Sequence, residues 1–256
     1  MINIINISPI ILALYATLFT WFITLLGASI VYFFKNINKT ILDCMLGISS
    51  GVMIAASIWS LILPSIEKSN NILMPTLGFL SGGLMLVIFD KIIDKKIINH
   101  SKKNKRILML IISITLHNIP EGLAIGIAFG SVLYNLDGVT LTSAIGLALG
   151  IGIQNFPEGC AVSVPLRREG LSRNKSFFYG QLSGIVEPIA GVLGALLVLK
   201  IRTILPFFLT FAAGAMIYVV TEELIPESQT NKNKSLITMF TLIGFVIMML
   251  LDVLLG

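Results

Sequence analysis

Charge is what this sequence has least of. Of its 256 residues only 12% are Asp, Glu, Lys or Arg, against about 25% in soluble domains. So few charges cannot cover a water-soluble globule of this size, which excludes an ordinary soluble enzyme. Disorder is excluded from the other side, because 55% of the residues are hydrophobic and the mean hydropathy is +0.93; disordered chains are poor in apolar residues. Cysteine is scarce as well. Cys44 and Cys160 lie far apart in apolar stretches, so they read as reduced core thiols and no disulfide framework is expected. The two cysteines and two histidines lie far apart, at none of the close spacings of a structural zinc tetrad. No His-Glu-x-x-His occurs, which disfavours a zinc protease, and no Gly-x-x-x-x-Gly-Lys-Ser/Thr, so the chain is not by itself an ATP-driven pump. Residues 1–34 carry no charge, and the first basic residue is Lys35. The basic start of a cleaved signal peptide is therefore missing, and a first membrane span is the expectation.

What fills the chain is apolar runs. A membrane-spanning helix needs about 20 mostly apolar residues. Eight stretches qualify, approximately 7–34, 42–66, 71–94, 107–132, 139–166, 176–199, 203–224 and 235–254. They use almost the whole of residues 1–256, so a single polytopic membrane domain is expected, with no soluble domain left over. The runs are continuous rather than alternating ten-residue segments, which argues against an outer-membrane barrel. Fifteen of the 18 Lys and Arg residues fall in the loops joining spans 1–2, 3–4, 5–6 and 7–8; Lys68, Lys200 and Arg202 lie on the opposite side. By the positive-inside bias this places both termini outside. The basic balance, net +5, is then a matter of topology and anionic lipid, and nucleic acid is not a partner.

Most acidic residues sit at span ends, but Glu121, Glu158 and Glu187 fall mid-span, as does His117. A carboxylate at that depth costs at least about 2.5–3.5 kcal/mol on insertion scales. The local sequence is His117-Asn118-Ile119-Pro120-Glu121-Gly122 in span 4 and Gln154-Asn155-Phe156-Pro157-Glu158-Gly159 in span 5. Asn, Pro, Glu and Gly recur in register on consecutive, antiparallel spans, an internal repeat of inverted type, and transporters recurrently place a midplane site on such repeats. Positions four apart share a helix face, so His117 pairs with Glu121 and Gln154 with Glu158. Asn118 and Asn155 stand three residues from their glutamates and reach the far side of the same carboxylates. Each proline frees the carbonyl four residues back, and Gly122 and Gly159 allow close helix approach. Glu187-Pro188 in span 6 adds a third carboxylate. An oxygen-rich set with one imidazole suits a divalent metal such as zinc, with iron, manganese or cadmium as alternatives.

The paired HNIPEG and QNFPEG motifs, followed by Glu187-Pro188, resemble the ZIP (Zrt-, Irt-like protein) metal transporters, most closely the prokaryotic members. The likeness extends to Gly51-Val52-Met53-Ile54-Ala55-Ala56-Ser57 with Trp59-Ser60 in span 2, and to Glu222-Glu223-Leu224-Ile225-Pro226-Glu227-Ser228 after span 7. The resemblance implies uptake of divalent metal, zinc first, across the cytoplasmic membrane through a binuclear centre. His117, Glu121, Gln154 and Glu158 would form the first site with Met53 near it. Asn118, Asn155 and Glu187 would form the second, with Glu121 and Glu158 bridging. It further implies Ser60 and Glu67 on the outer approach, Glu222 and Glu223 on the inner exit, and spans 1, 4, 5 and 6 as a group that moves against the rest. Two features depart from the family pattern: Asn155 stands where some relatives have Asp, and the 98–106 loop holds only His100 among lysines rather than a histidine-rich run.

The expected architecture is thus an all-α integral membrane protein of eight transmembrane helices with inverted-repeat symmetry, a transporter and not an enzyme. Two other readings of the buried carboxylates stay open on sequence alone. One is an intramembrane metal-dependent hydrolase using a metal-bound water. The other is a structural membrane subunit whose acids share protons. The small-residue stripes Gly122/Gly126/Gly130, Gly146/Gly150 and Gly180/Gly184 serve packing within one chain or a homodimer equally well.

Overall fold

The computed structural model describes residues 8–34, 38–69, 71–97, 102–133, 140–200, 204–230 and 233–255; the side chains of residues 9, 93–97, 102–114, 116, 117, 133, 199 and 200 lie outside that description. His100 and most of the turn around it are therefore outside it, as is the imidazole of His117.

Helix follows helix through the described residues, and no strand occurs among them. α1 is Pro9–Phe33. α2 is Lys39–Lys68, interrupted by a π-turn at Ser57–Ile62. α3 is Leu73–Ile97, α4 Lys102–Leu133 and α5 Leu141–Arg168. α6 has two halves, Arg173–Gly184 and Val186–Lys200. α7 is Leu205–Ser228 with a second π-turn at Val220–Leu224, and α8 is Lys234–Leu255. The helix starts are written locally. Asn38 caps α2 by accepting from the Thr40 amide at 2.9 Å, and Thr140 and Ser143 form a reciprocal capping box on α5, each satisfying amides that an open helix end leaves unpaired. α5 ends in Arg167 and Arg168, favourable at the negative end of the helix dipole. Gly170 then takes φ 93°. The Leu171 amide reaches the Leu166 carbonyl and the Gly170 amide that of Arg167, a closing turn that only glycine adopts cheaply.

The breaks have a common cause. Each π-turn ends two residues before a proline, Pro64 in α2 and Pro226 in α7, and the break at Ile185 in α6 falls just before Pro188. Proline lacks the amide that would continue the ladder and crowds the carbonyl four residues back. Pro120 and Pro157 behave differently, since α4 and α5 run unbroken through them.

Among the described residues six helices are long and apolar enough to cross a membrane: those beginning near Ile10, Lys39, Leu73, Arg173, Leu205 and Lys234. α4 and α5, of 32 and 28 residues, carry the polar motifs. The molecule is a multi-pass membrane protein, and its surface says so. Tyr15, Phe19 and Phe22 of α1, Leu80 and Leu84 of α3, and Leu242 and Val246 of α8 face outward, while Thr20, Ser49, Asn118, Glu121, Gln154, Asn155, Glu158 and Glu187 are buried. Apolar outside and polar inside is an arrangement that lipid stabilises and water does not.

Four helix pairs pack most extensively, α1 with α5, α4 with α6, α2 with α8, and α3 with α7. α1, α4, α5 and α6 also contact one another, and α2 contacts α7 through its π-turn, so two four-helix groups face each other, joined chiefly where α2 meets α5. Close approach depends on glycine. A Cβ at Gly82 of α3 would overlap the Phe211 carbonyl of α7, whereas one at Gly83 would meet nothing nearer than the Gly214 oxygen at 3.6 Å. We expect Gly82→Ala to lower the thermal midpoint of the detergent-solubilised protein, an overpacking cost of about 1–3 kcal/mol. Gly83→Ala should leave the midpoint unchanged or raise it, because alanine is the better helix former by about 1 kcal/mol.

Candidate metal centre

α4 brings Asn118 and Glu121 to the middle of the bundle, and α5 brings Gln154, Asn155 and Glu158. Glu121 stands twelve residues before the end of α4 and Glu158 ten before the end of α5, ~18 Å and ~15 Å of helix. That is near the centre of a hydrocarbon core about 30 Å thick. Glu187 enters from α6 directly after its break. All six side chains are at most 2% exposed. The glycines after the motif glutamates make this possible. A Cβ at Gly122 would lie 2.5 Å from the Glu187 carbonyl oxygen, and one at Gly159 would overlap the Thr24 carbonyl of α1. Any side chain there would push α6 or α1 away from the cluster.

Hydrogen bonds tie the two motifs together. The Gln154 amide nitrogen donates to Glu121 Oε1 through a very short contact. Asn155 Nδ2 donates to Glu187 Oε1 at 2.8 Å and Oε2 at 3.0 Å, and to the Thr20 carbonyl at 3.1 Å. Asn118 Nδ2 donates to the Ser183 carbonyl at 2.9 Å. Two hydroxyls complete the web: Thr20 of α1 donates to Glu187 Oε2, and Ser49 of α2 donates to Glu158 Oε1 at 3.1 Å. Glu121 lies within reach of the charges of both Glu158 and Glu187.

The amides share one orientation. Each of Asn118, Gln154 and Asn155 spends its nitrogen on a neighbour and leaves its oxygen without a hydrogen-bond donor among the described residues; Glu121 Oε2 is in the same condition. A buried acceptor left unpaired costs about 1–3 kcal/mol, and four in one cluster are not explained by packing. Acceptor oxygens with no donors are what a cation requires. Among the described residues no three His, Cys, Asp or Glu side chains gather closely enough to hold a metal by themselves. A cation held there would have to take amide oxygens beside the carboxylates. His117 sits on α4 one turn before Glu121, and its side chain lies outside the described residues.

The peripheral residues fall at two cavities and one exposed end. Met53 is fully buried on α2, one turn beyond Ser49. Ser60, within the α2 π-turn, donates to Asp252 Oδ1 at 2.6 Å and lines a cavity of about 150 Å³ with Trp59. Glu67 is exposed and does not line that cavity. Glu222 and Glu223 line a cavity of about 440 Å³ with Leu46, Pro165 and Glu227. Thr20 and Ser49 were not foreseeable from the motifs. For Thr20 the available signal was the buried row Thr17, Thr20 and Thr24 on one face of a charge-free span.

Comparison with known proteins gives the family. The model of the ZIP zinc transporter family matches residues 94–252. Zinc transporter ZIP11 of Xenopus tropicalis is 36% identical over 97% of this chain and 98% of its own length. Zinc transporter GufA of Myxococcus xanthus is 32% identical over 95% and 98%, and zinc transporter ZIPB of Bordetella bronchiseptica 34% identical over 91% and 78%. The chain belongs to the ZIP family. Animal and bacterial members thus both align with nearly all of it. ZIP proteins are transporters and not enzymes, so the hydrolase reading of the carboxylates falls away, and a merely structural membrane subunit with it. In this ZIP protein a divalent ion bound among the free oxygens should stabilise the fold. Zinc at about 100 times its dissociation constant should add ~2.7 kcal/mol, read as a rise in thermal midpoint in detergent. Glu121→Gln should remove most of that rise.

Proposed function

We propose that this ZIP protein carries a divalent metal, zinc first with cadmium, iron or manganese as alternatives, across the cytoplasmic membrane into the cell through a binuclear centre at bilayer mid-depth. The observation that carries the reading is the set of buried oxygens on Asn118, Glu121, Gln154 and Asn155 that meet no hydrogen-bond donor among the described residues. The first site takes His117, Glu121, Gln154 and Glu158, with Met53 beside it. The second takes Asn118, Asn155 and Glu187, and Glu121 and Glu158 bridge the two. Ser60 and Glu67 serve the outer approach, Glu222 and Glu223 the inner exit.

An inverted repeat relating α1–α3 to α6–α8 and α4 to α5 accounts for the packing. Under it α1 against α5 corresponds to α6 against α4, and α2 against α8 to α7 against α3, the four tightest pairs. The same operation pairs the π-turn of α2 with that of α7. Eight spans with both termini outside follow from the 15 to 3 division of basic residues. The two four-helix groups supply the moving and stationary parts for alternating access.

Charge orders the filling. Two divalent ions about 3.5–4 Å apart repel by about 17 kcal/mol at an effective dielectric near 20. Glu121, Glu158 and Glu187 supply −3 against them, since the amides carry no charge and His117 must be neutral to ligate. One ion leaves the centre at −1 and two bring it to +1, so the first binds more tightly. The imidazole makes the first site the tighter one.

Zinc influx into proteoliposomes tests the reading. We expect saturable uptake that Glu158→Ala abolishes and His117→Ala severely reduces, and wild-type rates in a folded Glu158→Ala protein would refute the binuclear site. Orientation is checked by single cysteines in a Cys44→Ser, Cys160→Ser background. Asn70→Cys and Asp137→Cys should label from outside, and Asn104→Cys only from inside.

A further inference from the structure

Of the three threonines buried along α1, two are accounted for by the helix itself. Thr17 donates to the Ala13 carbonyl at 2.7 Å, and Thr24 reaches the Thr20 carbonyl at 3.3 Å, the usual fate of threonine in an apolar helix. Thr20 has the same local option, the Thr17 carbonyl at 3.0 Å, but its hydroxyl also stands against Glu187 Oε2 at a shorter separation. A hydroxyl has one proton to give, and the bond to an ionised acceptor is the stronger, so the proton goes to the carboxylate. The main chain of the same residue is used as well, because the Thr20 carbonyl accepts from Asn155 Nδ2. Asn155 in turn donates to both oxygens of Glu187. Thr20, Asn155 and Glu187 therefore close a triangle across α1, α5 and α6.

Glu187 needs such a grip. It lies two residues past the break at Ile185, where no continuous helix behind it fixes its backbone. Left alone, a glutamate side chain with three rotatable bonds loses much conformational freedom on being held in one position. We propose that Thr20 is a positioning residue of the second metal site. Its hydroxyl and carbonyl pre-set Glu187 and Asn155, which makes α1 a working part of the metal centre rather than a packing helix. The inference rests on the two-ion reading given above. The Thr20 hydroxyl stays in place when an ion binds, because a carboxylate oxygen has a second lone pair to offer. Thr20 itself does not touch the ion.

Zinc calorimetry on the detergent-solubilised full chain tests this with Thr20→Val, Thr20→Ser and Thr17→Val. Thr20→Val keeps the shape and removes the hydroxyl. It should weaken the second zinc by about tenfold to a hundredfold, the loss expected for one hydrogen bond to a charged group, and leave the first within about twofold. Thr20→Ser should restore wild-type binding, and Thr17→Val, on the same face but bonded only to its own helix, should bind like wild type. Should Thr20→Val fail to fold, Thr20→Ala against Thr20→Ser makes the same comparison. A wild type that takes two ions, with Thr20→Val indistinguishable from it or Thr17→Val equally impaired, overturns this inference alone. A wild type that takes only one ion overturns the two-ion reading and this inference with it.

Discussion

A carboxylate cannot stay ionised in hydrocarbon without compensation, and this chain collects Glu121, Glu158 and Glu187 at the depth where compensation is hardest to find. The rest of the molecule is arranged around that difficulty. Part of the compensation is internal: Gln154 on Glu121, Ser49 on Glu158, and Thr20 with Asn155 on Glu187. These donors come from α1, α2 and α5, so three helices are committed to holding the acids. The compensation stops short, and it stops in a particular pattern. Among the described residues the amides turn their nitrogens to neighbours and their oxygens meet no donor. A cluster that only needed to bury its acids quietly would have used both ends of each amide. One that must receive a cation and release it again needs acceptors that nothing else has claimed.

The scaffold follows from the same requirement. Helices that approach closely enough to bring six polar side chains together must shed side chains at the crossings, and Gly122 against Glu187 and Gly159 against Thr24 do so immediately beside the site. From the other four-helix group the Ser49 hydroxyl reaches into the cluster, donating to Glu158 at the seam where α2 meets α5. Most of the hydrogen bonds among the buried acids are made within the group of α1, α4, α5 and α6, which is the group that the proposed alternating access would move.

How much of this could be read beforehand depends on how unusual each residue is where it stands. Glu121, Glu158 and Glu187 announced themselves because an acid in an apolar run has no cheap explanation, and the repeated Asn-Pro-Glu-Gly register gave their mutual placement. The all-helical membrane architecture was equally plain from hydropathy. Thr20 and Ser49 were silent because hydroxyls in apolar helices commonly bond their own backbone, as Thr17 does. Only the packing of α1 and α2 against α5 and α6 distinguishes them. The breaks were half legible: Pro64, Pro188 and Pro226 marked where a ladder would fail, but not that α2 and α7 would absorb the failure as π-turns while α4 and α5 pass through Pro120 and Pro157 uninterrupted. That difference lies in the neighbours each helix packs against.

The central claim is that the buried acids and the unspent oxygens together form a zinc site. The most direct measurement is equilibrium zinc binding by the purified protein and by a Glu121→Gln, Glu158→Gln double variant that keeps the shape of both side chains. The account predicts two ions of unequal affinity in the wild type and loss of both in the variant, with the variant's helical content and thermal midpoint in the absence of zinc retained or raised. Undiminished zinc binding by a folded double variant would contradict it.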